Sequence, residues 1–384
     1  MKTTPPKKQG FRRDRERYGL GVAPYTPENP RNDHAQIFPL LDGRLLLVWW
    51  EYYIRSPHAV GRTSFASAGS PDDAPCRITG RVSSDGGRTW SERLTVQENI
   101  GSSNVKHPNL VRLPDESVLL FFTQWDRGDE ADEERSIYYR RSSDDCDTWG
   151  PTQRLTEPKS GFYILDAGRV LVHTSGRIVL PAYWTNRVAP QRTNFQMYCY
   201  YSDDDGVTWQ ESRNRITIPG RGAMEPTVVE RLDGSFLALL RSDQGVLYQT
   251  TSQDRGESWT DGIPTQLSSV QSEACLRRLP DGNEVLLIWN HATPYAISEG
   301  GGVTHHPRNP LTAAISEDDG ETWIKYRDIE NRLGWSSAYP NAYFHHHPDF
   351  GWEALVTFYQ KSEAMTNVSS LELRIFPVEW FRQD

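Results

Sequence analysis

The sequence predicts an all-β fold, a six-bladed β-propeller, on three observations. One octapeptide recurs five times at near-regular spacing, a strand–turn–strand phrase precedes each copy, and no amphipathic helical period of useful length intervenes.

The octapeptide reads Ser, any, Asp, any, Gly, any, Thr, Trp. Full copies are Ser83–Trp90, Ser202–Trp209 and Ser316–Trp323. Two copies depart at one position each: Cys146 stands for Gly in Ser142–Trp149, and Ser258 stands for Thr in Ser252–Trp259. Successive copies place their Trp residues 59, 60, 50 and 64 residues apart. The physics is that of a hairpin turn. Asp accepts hydrogen bonds from nearby backbone N–H groups, Gly supplies a positive φ, the hydroxyls tie the strand ends, and Trp packs between hairpins. Cys146 lacks glycine's freedom and is expected to strain and loosen the second turn.

The preceding phrases are Leu40–Val48, Val111–Leu120, Val172–Leu180, Leu232–Leu237 and Leu279–Leu287. Each is an apolar run broken by a Gly or polar turn, hence a second hairpin. Two hairpins make one four-stranded blade. After the last octapeptide, Ala338–Phe344, Trp352–Tyr359 and Leu371–Phe381 form three strands without an octapeptide. A strand from the N-terminal segment is expected to complete that blade and close the ring. Residues 1–30 thus read as an arm with a ring-closing segment, and 31–384 as one propeller domain, because a blade cannot bury both faces alone.

Composition narrows the function classes. A net charge of −9 argues against a nucleic-acid partner, which needs a basic face. No stretch approaches the roughly 18 consecutive apolar residues of a membrane-spanning helix. The basic start, with Lys7, Lys8, Arg12 and Arg13, lacks the apolar core of a secretory signal. Cys76, Cys146, Cys199 and Cys275 lie far apart without CxxC spacing, so neither a disulfide framework nor a zinc site is expected, and a reduced, cytoplasmic protein is. His345-His346-His347 falls on a strand, where side chains alternate faces, and cannot present three metal ligands together. No cofactor or metal is implied. The acidic run Asp129–Glu134 reads as a solvated loop.

The octapeptides and strand phrases together resemble the sialidase superfamily, whose Asp-box the octapeptide matches, over nearly the whole chain from about Asn32 to Phe381. The resemblance is to bacterial sialidase-like or exo-α-sialidase-like proteins. It implies a glycosidase in which a Tyr is the nucleophile, a Glu activates it, an Asp serves as acid/base and three Arg hold the substrate carboxylate. A neutral phenol avoids the repulsion that a carboxylate nucleophile would meet beside an anionic sugar, and the planar Arg fork suits a carboxylate.

By that resemblance Glu225, in Met224-Glu225-Pro226, is the activating Glu, and Arg241 and Arg308 are the second and third clamp residues. Tyr339, in Ser337-Ala338-Tyr339-Pro340, is the nucleophile. The first clamp Arg has no counterpart in register: the stretch reads His34-Ala35-Gln36-Ile37-Phe38-Pro39, with Arg31 just upstream. Asp72 and Asp73 are acid/base candidates, with Glu51 nearby. His34 and His107 open the first and second blades, Gln36 follows His34, Asn290 and His291 end a strand of the fifth blade, and His305 and His306 sit in the insert after it, all candidates for the same pocket. The partner implied is a glycan or oligosaccharide, and a different acidic or a neutral sugar fits the incomplete clamp. Two other readings stay open. One is a polysaccharide lyase in which His107 and Tyr339 move protons and Arg241 neutralises a uronate. The other is a non-catalytic glycan-binding propeller with Trp50, Trp125, Trp184 and Trp335 stacking on sugar rings.

Overall fold

A computed structural model describes residues 18–54, 72–126, 134–156, 161–186, 194–291, 308–365 and 368–383. The basic start, most of the acidic run, and His305 and His306 lie outside the described residues.

Among them the chain is a succession of antiparallel sheets in a propeller arrangement. After β1 (Tyr18–Ala23), the first sheet holds β2 (Asn32–Pro39), β3 (Leu45–Tyr52), β4 (Cys76–Ser83) and β5 (Leu94–Gln97). A nine-stranded sheet follows. It contains β6 (Asn104–Arg112), β7 (Val118–Asp126), β8 (Glu134–Ser142) and β9 (Gln153–Arg154), then β10 (Phe162–Leu165), β11 (Leu171–Val172), β12 (Ile178–Thr185), β13 (Gln196–Ser202) and β14 (Gln210–Glu211). Its two halves meet through one parallel pair, Phe162 with Arg135. The next sheets are β15 (Met224–Glu230) to β18 (Ile263–Ser268), through β16 (Phe236–Arg241) and β17 (Val246–Ser252), and β19 (Cys275–Arg278) to β22 (Ile324–Glu330), through β20 (Val285–Trp289) and β21 (Leu311–Ser316). The last holds β23 (Trp335–His347), β24 (Gly351–Ser362) and β25 (Ser370–Pro377), with β1 as its outer strand. Six separate blades are therefore not what hydrogen bonding draws: there are four four-stranded sheets and one of nine.

The pairing of β1 with β25, from Tyr18 opposite Ile375 to Ala23 opposite Leu371, joins the start of the described chain to its end. The last sequence phrase is shorter than expected as a strand. It stops at Pro377, and Val378–Arg382 forms a 3₁₀ turn whose Val378, Trp380 and Phe381 are buried. Inner strands such as β3 are buried at every position because neighbouring sheets cover both faces. The octapeptide tryptophans fill the layers between sheets. Trp90 packs beside Leu355 and Leu373, and Trp209 beside Phe121 and Tyr139.

All five octapeptides make one turn. In the first, Ser83 Oγ donates to Asp85 (2.8 Å) and accepts from the Gly87 N–H (2.9 Å), while Asp85 accepts from the Thr89 N–H (2.8 Å) and hydroxyl (2.6 Å). The Cys146 copy corrects the expectation of a looser turn. Its N–H donates to Ser142 Oγ at 2.9 Å and Thr148 N–H to Asp144 at 2.8 Å, as in the others. The cost is confined to the backbone, where Cys146 adopts φ +77°.

Candidate functional site

Four inner strands share a local device. A β-bulge interrupts β2 between Asp33 and Ala35, β6 between Lys106 and Asn109, β15 between Met224 and Thr227, and β23 between Ala338 and Asn341. The bulged residues are His34, His107, Glu225 and Tyr339, and all four have positive φ (34°, 61°, 44° and 58°). Left-handed backbone in such residues costs ~1–3 kcal/mol each, and bulges re-aim side chains beside functional sites. Three of the four are followed by Pro, in His107-Pro108, Glu225-Pro226 and Tyr339-Pro340, and the fourth by Ala, in His34-Ala35.

The bulges bring these distant residues together. Arg241 ion-pairs with Glu225, and its Nη1 lies 3.4 Å from the Tyr339 hydroxyl. The Arg308 guanidinium lies 4.5 Å from the Tyr339 ring centroid, donates to the Tyr359 hydroxyl (2.9 Å) and to the Gln271 carbonyl (3.1 Å), and has no carboxylate partner among the described residues. His34 stacks on Tyr339 with ring centroids 3.7 Å apart and places Nε2 3.3 Å from Glu273. Burial pushes the Tyr339 phenol up to about 12, against the opposing pull of Arg308, so it is neutral at physiological pH.

Beside Tyr339 opens a cavity of ~400 Å³ whose wall includes Arg31, Asp72, Arg308, Tyr359 and Lys361. Arg31 is held by Asp33 at 2.5 Å and Asp72 at 2.8 Å. The Arg31 charge keeps the Asp72 carboxyl far below the usual carboxylate range. Burial, with Arg308 and Arg31 nearby, lowers the Lys361 ammonium. The cavity can therefore receive an anion: Arg31 is already paired, whereas Arg308 is bound only to neutral groups.

Deeper lies a polar ring. His107 Nε2 is 3.5 Å from Asp166, whose Oδ1 also accepts from the Tyr183 hydroxyl at 3.4 Å. Burial holds the His34 imidazole below its ordinary value and His107 well below, so both are neutral at pH 7. Burial, then the Glu273 and Glu225 carboxylates, raises Asp166 well above its ordinary value. Burial would raise Glu273 too, but Arg169 and His34 overcome it and lower it. Glu225 Oε2, Arg241 Nε, Asp166 Oδ2, His34 Nδ1 and His107 Nδ1 are buried without a hydrogen-bond partner among the described residues. Such a concentration of open donors and acceptors is the mark of a polar ligand or water site.

Other expected residues stand elsewhere. Gln36 spends its amide on strand β6, donating to the Leu110 carbonyl (2.9 Å) and accepting its N–H (2.6 Å). It lines a second cavity of ~260 Å³ with Arg277 and Tyr343, not the one beside Tyr339. Asn290 is buried and donates to the Pro310 (3.0 Å) and Ser337 (2.9 Å) carbonyls, a clasp between strand ends. Asp73 gives its carbonyl to Ser103 (2.8 Å), and the cavity lining includes Asp72 and not Asp73. Glu51 is buried between Arg77 (3.0 Å) and Arg93 (2.8 Å). His291 packs on Trp289 and Tyr326. Trp50 and Trp125 are buried and cannot stack on an outside sugar, while Trp184 and Trp335 are covered by Arg215 and Arg332. His346 packs on Trp352 while His345 and His347 face each other, as strand alternation requires.

Sequence reasoning missed Asp166, Glu273 and Lys106. The first two occupy, in Asp166-Ala167 beyond β10 and Glu273-Ala274 before β19, the place that the bulged residue followed by Pro or Ala takes elsewhere. That recurring dipeptide was the signal available.

Comparison with known proteins adds three findings. A family model described as a BNR repeat-like domain matches residues 63–351. An anhydrosialidase of Macrobdella decora is 32% identical over 173 residues, covering 43% of this chain and 20% of its own length. A sialidase of Paraclostridium sordellii is 27% identical over 292 residues, covering 67% and 68%. The chain thus spans from a fifth to about two-thirds of these relatives. Among solved structures, a Dyadobacter fermentans protein of unknown function superposes with TM-score 0.69 at 19% identity, covering 96% of this chain and 99% of that one. A sialidase from Streptococcus pneumoniae gives 0.68 at 14%, covering 94% and 70%.

Proposed function

Because the chain belongs to the BNR repeat-like family of the sialidase superfamily, we propose that it is a sialidase-type exo-glycosidase that removes a terminal acidic sugar from a glycan. The observation that carries this reading is Arg308. Its guanidinium stands on the cavity wall against the Tyr339 ring, bonded among the described residues only to neutral groups, and a sugar carboxylate would supply its anion. The nine-stranded sheet counts here as two blades, since one residue pair joins its halves, and the ring then has six.

In the first step the Tyr339 oxygen bonds to the anomeric carbon as the glycosidic C–O bond breaks, and the phenolic proton passes to Glu225, steadied by Arg241. A sugar carboxylate arriving at Arg308 and Arg31 competes with Asp72 for Arg31. Asp72 then gains affinity for a proton, takes one from solvent as the substrate binds, and delivers it to the departing oxygen. In the second step Asp72 takes a proton from water, whose oxygen bonds to the anomeric carbon and frees Tyr339, which recovers its proton from Glu225. The configuration is retained after two displacements. The test is turnover of chromogenic α-sialosides and other acidic glycosides. Tyr339→Phe is expected to lose ~10³-fold or more in kcat with an unchanged melting curve. Near-normal turnover by that variant removes the mechanism, and an unsaturated product absorbing in the ultraviolet replaces it with elimination.

A further inference from the structure

Three donors, from the start of β6 and the residue just before it, grip the described residues that lead from Asp72 into β4. Lys106 Nζ donates to the Asp72 carbonyl (2.5 Å), as does Asn104 Nδ2 (2.9 Å). Ser103 Oγ donates to the Asp73 carbonyl (2.8 Å), and Asn104 Nδ2 also to the Ala74 carbonyl (3.0 Å). Three successive carbonyls are thereby fixed from the neighbouring sheet. Of the donors only Lys106 is charged, and it is buried inside an aromatic cage. Its ammonium lies 5.5 Å from Trp50, 5.1 Å from Tyr52 and 5.5 Å from Trp125. Rings attract an ammonium but not a neutral amine, so the grip depends on charge.

We propose that Lys106 is a positioning residue, a charge-dependent latch that seats the Asp72 segment against Arg31 at the cavity wall. The inference rests on the glycosidase reading only for what Asp72 does once seated. Lys106 is faced by Asp72 and Arg31, by Tyr52 on β3, Cys76 on β4, Arg135 on β8 and its neighbour His107. Burial lowers its ammonium to about 7, with Asp72 opposing and Arg135 assisting. As pH rises through about 7 the latch discharges, and the Asp72 segment loosens.

Two readouts separate the latch from the chemistry. In hydrogen–deuterium exchange, peptides covering residues 72–76 of the wild type are expected to exchange about tenfold faster at pH 8 than at pH 6, after correction for intrinsic rates. Lys106→Arg, whose guanidinium keeps its charge, is expected to lose that step, and Lys106→Met to exchange fast at both values. The same pH step in Lys106→Arg, or none in the wild type, overturns the latch whether or not any glycoside is turned over. In turnover of the acidic glycosides, the wild type is expected to lose kcat on the basic side near pH 7, Lys106→Arg to lose that limb, and Lys106→Met to show low kcat with a flat profile. A wild-type profile kept by Lys106→Met also overturns it. Absence of turnover with the exchange step intact leaves the latch standing and removes the glycosidase reading instead.

Discussion

Tyr339, Arg308 and Lys106 each accept an unfavourable environment that a purely structural residue would avoid. Arg308 is a half-buried cation without a carboxylate partner among the described residues. Replacing such a charge by an apolar side chain of similar volume is often neutral or stabilising. Arg308→Met is therefore expected to keep or raise Tm while raising KM for an acidic glycoside by roughly 10–100-fold, the worth of a charge-assisted pair. A parallel loss of Tm and kcat would make Arg308 a structural group instead. Lys106 makes the same trade. Its folded pKa is about 7, below its ordinary 10.5. Between those values the unfolded chain binds the extra proton, so stability rises with pH across that window and the penalty is complete below it. Denaturant titration is expected to find Lys106→Met more stable than wild type by a few kcal/mol near pH 7, a difference that vanishes above about pH 10.5. Tyr339, with Glu225, Arg241 and Arg308 beside it, is marked in the sequence by a known motif order. Lys106 is not, since a lysine inside an apolar strand carries no sign of the rings that will surround it.

Turns and bulges are the elements that shape the ring, and they differ in legibility. The octapeptide declares itself because each position has one chemical task, and even Cys146 and Ser258 keep the bonding pattern. Its glycine is tested by contrast. At Gly206, φ is +78° and a Cβ would lie 2.7 Å from Leu119 Cδ1, whereas at Gly256, φ is +88° and the nearest atom would lie 3.6 Å away. Gly206→Ala is expected to cost ~2–4 kcal/mol, combining backbone strain and overpacking, and Gly256→Ala ~1 kcal/mol. Equal costs in thermal melts would contradict the close-packing account. The bulges were hidden, because one extra residue in a strand leaves the apolar pattern intact. For that reason the sequence points Gln36 at the pocket, whereas Asn290 follows the unbulged β20 and is drawn away by the Pro310 and Ser337 carbonyls. Past a bulge the face reverses, and Gln36, two residues beyond His34, turns to β6 instead.

The molecule as a whole depends on closure. β1 is the outer strand of the sheet that also holds the last strand, β25, and Val22 and Ala23 join the core shared with Leu47 and Leu371. Deleting residues through Ala23 exposes the β25 edge and is expected to lower Tm by several degrees or more and to promote association. An unchanged Tm in the monomeric protein would show that β1 does not close the ring. Propeller periodicity was readable in the sequence, but the link between β8 and β10 was not, since a single parallel pair leaves no trace in composition. Closure also delivers Tyr339 from the last sheet to Arg241 and Glu225 of a sheet ~100 residues earlier. The covalent intermediate tests that convergence most directly. Incubation with a fluorinated acidic glycosyl fluoride, followed by peptide mass spectrometry, is predicted to find one sugar attached at Tyr339 in wild type and none in Tyr339→Phe. Stoichiometric labelling at any other residue, or turnover of the same sugar that proceeds with inversion, would contradict the account.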